Sequence, residues 1–171
     1  VIPNEIVRRG LELRGSPLLK DCALAAVRVA LAWIFIYHGG GTLFGAFHGP
    51  GLHAQAAFFA ANGLRPGMFF AVLNGITEFF GGIAVGLGLL SRLAGLGLFF
   101  DMVIATITTT WKTGIASSAA GSGYELNLAL AALALVIVLL GAGRASADAW
   151  IGSVLTRRVT GHSSAVLSPS R

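Results

Sequence analysis

Charge is what this chain has least of. Asp, Glu, Lys and Arg together make up 11% of its 171 residues, against about 25% in an ordinary soluble domain. Hydrophobic residues make up 55% and the mean hydropathy is +0.79. A soluble fold of this size has nowhere to hide so much apolar surface, so lipid must be the solvent for part of it. Cysteine is scarcer still: Cys22 stands alone. That excludes an intrachain disulfide, a Cys-rich zinc site, an iron–sulfur cluster and a CxxCH haem attachment. Of the four histidines, only His38 falls inside an apolar run, which excludes a bis-His haem between spans. No run alternates at period two, so a β-barrel fits poorly. The net charge is +5, but the basic residues form no stripe interleaved with aromatics, and no nucleic-acid partner is expected. The first twenty residues, VIPNEIVRRGLELRGSPLLK, are too charged for a secretory signal peptide.

What is present is four apolar runs. Each is long enough, or nearly so, to cross a bilayer core of about 30 Å, which takes roughly 20 helical residues. They fall at about 22–44, 67–90, 92–112 and 124–143. The expected fold is therefore all-α: an integral membrane four-helix bundle, one domain over 21–150. Residues 1–20, with Ile6, Val7, Leu11 and Leu13 among charges, read as an amphipathic segment on the inner surface. Residues 151–171 read as a cytoplasmic tail, disordered after Gly161. The stretch Leu52–Asn62 in the long second connection reads as a short helix at the outer surface.

Lys and Arg set the orientation. Arg8, Arg9, Arg14 and Lys20 precede the first run, Arg92 lies in the tight second turn, and Arg144, Arg157 and Arg158 follow the fourth. The opposite loops hold Arg65 and Lys112. The positive-inside rule then puts both termini in the cytoplasm, as an even number of spans requires. Glycine is abundant, and Gly82 and Gly86 form a GxxxG pair beside Gly75, Gly81 and Gly88. Small residues let helices approach closely in lipid. Trp33, Tyr37, Trp111, Tyr124 and Trp150 suit an interfacial belt.

Against this background Glu78 and Asp101 stand out. Each lies near the centre of its run, hence near the bilayer midplane, where a charge costs about 2.5–3.5 kcal/mol on insertion scales. Compensation comes from a base, a polar neighbour or a proton. Arg28 lies five residues from the centre of the first run, about 7.5 Å at 1.5 Å per residue. The economical arrangement pairs it with one of the two acids. Asn74 is one helical turn before Glu78, and Asp101, Thr108 and Lys112 form a polar stripe along the third run. Two readings remain open: a buried ion pair that fixes helix register, or a site that handles protons or orients a ligand. His38, in IYHGGGT, is a candidate contact for a quinone carbonyl or a porphyrin, or else a satisfied interhelical hydrogen bond. His48 and His53 sit five apart in a glycine-rich loop; no metal site is expected. The candidate site is thus Arg28, His38, Glu78 and Asp101.

The order of these features resembles the DoxX family of small four-helix membrane proteins. The matching pieces are Arg28, His38-Gly39, Glu78-Phe-Phe-Gly81-Gly82, Gly88-Leu-Leu-Ser-Arg92 and Met102-Val-Ile-Ala105. Glu125-Leu-Asn-Leu128 and Gly141-Ala-Gly143-Arg144-Ala-Ser146-Ala-Asp148 follow. The family usually carries a lysine four residues after the histidine; Thr42 stands there. The resemblance implies a bacterial inner-membrane protein in a quinone-linked redox setting, like the subunit of a thiosulfate:quinone oxidoreductase from which the family is named. A quinone is then the implied cofactor, and the bilayer and other membrane subunits are the implied partners. Two alternatives stay beside it: a non-catalytic subunit that stabilises a larger respiratory or photosynthetic complex, and a small proton-coupled transporter.

Overall fold

The computed structural model describes residues 17–117 and 121–166, with side chains as far as 157. The expected amphipathic segment falls mostly on 1–16, outside the described residues. Among the described residues the fold is all-α, with six helices: α1 (Pro17–Phe44), α2 (Gly51–Ala61), α3 (Gly67–Leu87), α4 (Ser91–Ala105), α5 (Glu125–Leu140) and α6 (Ala147–Val166). Beyond Ala105, α4 widens into a π-helical segment, Thr106–Thr110, and tightens into a 3-10 turn, Trp111–Thr113.

Two helices are long and apolar enough to cross a membrane by length and composition: Gly67–Leu87 and the continuous run Ser91–Thr113. Glu125–Leu140 is apolar but shorter. Only 28% and 17% of the residues in the most apolar stretches of the two long helices are buried. A soluble core helix shows the reverse. Here Phe80, Phe100, Ile104 and Ile107 point outward, and so does Trp33 on α1, at 77% exposure.

Several boundaries differ from the sequence reading. The structure has α1 helical from Pro17. α3 stops at Leu87 because Gly88 turns left-handed (φ 69°), and the Leu89 N–H donates back to the Ala84 carbonyl at 2.8 Å, a Schellman closure. α5 stops at Leu140, where Gly141 has φ 76°. The stretch expected to be disordered after Gly161 continues α6 through Val166.

α1 packs most extensively on α3, α5 on α4, and α3 on both α2 and α4, whereas α1 and α5 meet at few points. The helices therefore run around the bundle in the order α1, α3, α4, α5. Leu31, Phe35, Val85, Leu98 and Ile137 are fully buried in the core. The α1–α3 crossing depends on Gly39, where a Cβ would overlap the Phe79 backbone and meet the Glu78 Cβ at 2.9 Å. Close backbone approach of this kind is what small residues permit.

The helix ends nearest Gly88 and Gly143 are tied by polar groups. Arg28, 6% exposed, donates from Nε to the Val85 carbonyl at 2.9 Å and from Nη2 to the Gly86 carbonyl at 2.6 Å. Its Nη1 donates to the carbonyls of Ala142 (3.0 Å) and Ala145 (2.7 Å). The Val85 carbonyl also accepts from the Gly88 N–H at 3.0 Å, so the guanidinium adds a further donor at the end of α3 and complements the helix dipole. The N-cap of α4, Leu90, offers no side-chain acceptor. Asp148 of α6 substitutes for it, accepting from the N–H groups of Leu90 (2.8 Å) and Ser91 (3.0 Å) and from the Ser91 hydroxyl (2.6 Å). Partial burial pushes the Asp148 carboxyl up, but the Ser91 and Leu90 hydrogen bonds and the Arg28 charge outweigh it and hold the group below the usual aspartate range. Gly88 passes between these residues: a Cβ there would stand 2.5 Å from the Ser146 Cβ and 2.8 Å from Arg28 Nη2.

Candidate functional site

The half of the bundle away from Arg28 holds a cavity of about 470 Å³. Its floor and back wall come from Glu78 and Asn74 of α3 and from Met102, Ala105, Thr109 and Thr110 of the α4 run. Ile34, Phe35, Tyr37 and His38 of α1 and Leu126, Asn127 and Leu130 of α5 form two sides. Residues 46–50 and Gln55, Phe58 and Phe59 of α2 cover it. The covering turn is tight: Phe47 and His48, neither of them glycine, both adopt left-handed backbone angles (φ 55° and 62°). That conformation is unfavourable for such residues and persists only where its surroundings enforce it. Here Phe47 stacks on Tyr37 at 5.2 Å between ring centroids, and the Tyr37 hydroxyl donates to the Phe47 carbonyl at 3.3 Å. Tyr37 also meets His38 edge-on at 5.5 Å.

The two acids sit on neighbouring helices, α3 and α4, and among the described residues neither forms a salt bridge. Glu78 is 7% exposed, and the Asp101 charge is close enough to act on it. Asn74, one turn before Glu78 on α3, reaches across to α4: its Nδ2 donates to Asp101 Oδ1 at 3.0 Å. Asp101 Oδ2 is buried and has no hydrogen-bond partner. An unpartnered buried carboxylate oxygen is expensive. The cluster therefore has spare hydrogen-bonding capacity beside a cavity.

The expected pairing of Arg28 with one of these acids does not occur. All four Arg28 hydrogen bonds go to backbone carbonyls at the end of α3 and in the turn after α5. Its α3 contact, Val85, lies seven residues past Glu78, about 10 Å along the helix. The carbonyls where α3 ends, with those of Ala142 and Ala145, are the partners within its reach. The structure thus gathers His38, Glu78 and, through Asn74, Asp101, and places Arg28 elsewhere. His38 stands exposed at the cavity rim.

The polar stripe is also re-registered. Thr108 and Lys112 were expected to follow Asp101, but the residues that reach the cavity are Thr109 and Thr110. The π segment adds residues per turn and so carries the inward face past 108. The run TITTT promotes the widening: Thr106, Thr108 and Thr109 hydroxyls donate to carbonyls four residues back, at 2.8, 2.7 and 2.6 Å, and such back-bonding loosens a helix. Lys112 is exposed. Sequence reasoning missed Asn127 as a cavity residue; its Nδ2 donates to Thr110 Oγ1 at 3.3 Å. The signal was a lone amide in the apolar run LNLALAALALVIVLL.

A helical chain that turns its apolar side chains outward and encloses a carboxylate pair has the build of a membrane protein. The family model for DoxX matches residues 23–111, more than half of the chain, and the chain belongs to the DoxX family. No curated protein and no solved structure gives a significant match. The matched region contains Arg28, His38, Glu78 and Asp101. The pieces at 125–128 and 141–148 lie beyond it.

Proposed function

We propose that this chain is a four-span subunit of the bacterial inner membrane, with both termini cytoplasmic, that binds the headgroup of a quinone in the cavity between Glu78 and His38. The observation that carries this reading is the cavity itself: aromatic and aliphatic walls with few, convergent polar groups, the usual make-up of a small-molecule site. The lining suits a flat ring with oxygens at opposite ends. The amides of Asn127 and Gln55, the Thr110 hydroxyl and the His38 imidazole are donors for carbonyl oxygens. The ring packs between Phe35, Tyr37 and Met102.

Reduction of a quinone to its quinol takes up two electrons and two protons. The residues around the cavity can supply only the protons. Glu78 sits at the cavity floor, with Asn74 and Asp101 behind it as a second carrier and its tether. His38, at the rim, is placed to exchange a proton with the outside. Carboxyl, imidazole and amide groups do not change oxidation state, so the electrons come from a partner subunit docked on the bundle. The apolar exterior that faces lipid also offers such a partner its surface.

The test is quinone binding and turnover in the native complex, with Glu78→Gln and His38→Ala. Loss of quinone reduction with the complex still assembled supports the reading. Unchanged turnover in both variants, with loosened assembly when the chain is deleted, makes the chain a structural subunit instead. Proton or solute flux into vesicles holding this protein alone would make it a transporter.

A further inference from the structure

The cavity has walls on three sides. α3 and α4 form the back, α2 and the 46–50 turn form the outer cover, and the buried core cluster closes the inner end. The fourth side is the seam between α1 and α5, which meet at few points. Those two helices share the buried core cluster through Leu31 and Ala134 in the inner half. Where the cavity lies, Ile34 and Tyr37 on α1 and Leu126 on α5 line it along the seam, while Phe35 and Leu130, both in the buried core cluster, line its depth. Tyr37 and Leu126 are 48% and 52% exposed, so the seam opens on the bundle's exterior. Trp33, next to Ile34, faces outward there.

We infer that the ligand of this cavity carries a long alkyl or isoprenoid tail, which leaves through the slot between α1 and α5 and lies in the bilayer while the head occupies the cavity. The inference rests on the quinone reading for the head and adds the tail and its route. A water-soluble ligand would enter through the cover, where Phe47, Phe58 and Phe59 outnumber the polar side chains His48 and Gln55. A tail that passes between leucine and isoleucine edges stays in surroundings as apolar as lipid. It therefore costs almost nothing to leave in place, and the polar head need cross only the apolar lip.

The test uses the full chain in nanodiscs, with a decyl-substituted benzoquinone and its tailless parent, concentrations expressed per volume of lipid. The wild type is expected to bind both with Kd values within about twofold, because the tail exchanges one apolar medium for another. Leu126→Trp, at an exposed position where the cavity wall meets the slot, is expected to weaken the decyl compound by at least about tenfold more than it weakens the tailless one, since the tail must pass the added ring. Leu128→Trp, exposed on α5 but outside the cavity, is expected to change neither. A wild type that refuses the decyl compound, or a Leu126→Trp variant that loses both equally, overturns the inference. If neither compound binds the wild type, the quinone head falls, and the tail route is read with a photoreactive diazirine fatty acid. Labelling concentrated at 34–37 and 126–130 then sustains a tailed ligand, and labelling spread evenly over the outer surface overturns it.

Discussion

Removing the guanidinium of Arg28 tests whether this residue belongs to the fold or to the site. Its four hydrogen bonds go to carbonyls of Val85, Gly86, Ala142 and Ala145. Two of these contacts, to Val85 and Ala142, are buried, and two are partly exposed. In Arg28→Met the exposed carbonyls recover water and cost about 0.5 kcal/mol each, while the buried ones lose a charged donor at about 1.5–3 kcal/mol each. The sum is about 4–7 kcal/mol, reduced somewhat by the apolar replacement. Stabilities of whole domains run to about 5–15 kcal/mol, so the variant should be barely folded. Arg28→Lys keeps a charge and up to three donors but loses the planar fork, and should fall about midway. The assay is denaturation in detergent micelles followed by tryptophan fluorescence, together with retention of ligand by whatever fraction stays folded. The refuting result is an Arg28→Met protein as stable as wild type that has lost ligand binding. That would mean Arg28 serves the acids after all and that the backbone contacts are incidental.

Asp148→Ala should cost about 1–2 kcal/mol, the value of a lost N-cap, seen as a lower midpoint in the same denaturation assay. The folded pKa of Asp148 is depressed, so its contribution is complete above the unfolded value of about 3.9 and is lost as pH falls through the lower folded value. Stability measured between neutral and acid pH should therefore show an acid-side loss that Asp148→Asn diminishes. Gly39→Ala should push α1 off Phe79 and cost about 1–3 kcal/mol by overpacking, whereas the same change at Gly152, which faces open space, should be neutral; thermal melts of the pair decide it. Asn127→Leu should weaken quinone-head binding by roughly fivefold, the worth of about one hydrogen bond, without lowering the melting temperature by more than a few degrees.

The helices were legible because lipid imposes a simple rule: an apolar run must satisfy its own backbone. Glu78 and Asp101 could be singled out because acids in such runs are costly. Asn74 was placed beside Glu78 by helical spacing alone, and its bond to Asp101 follows from that face. Arg28 was misassigned because sequence gives depth but not direction. At its depth two kinds of acceptor were available, carboxylates and the carbonyls of a helix end, and charge made the first look decisive. The π segment escaped because its cause is three hydroxyl contacts within one turn, which a fixed period of 3.6 cannot express. The cap on α4 escaped for another reason. Asp148 lies 58 residues from Leu90, beyond the reach of any local pattern.

That last distance sets the order in which the molecule can be made. Arg28 waits for acceptors at 142 and 145, and the start of α4 waits for an acid at 148. During synthesis the helices that precede residue 141 leave the ribosome with these groups unmet, and they find their partners only after residues 142–148 have been made. A nascent chain halted before residue 148 would hold its helices as loose neighbours, and the final segment acts as the latch that turns them into one body.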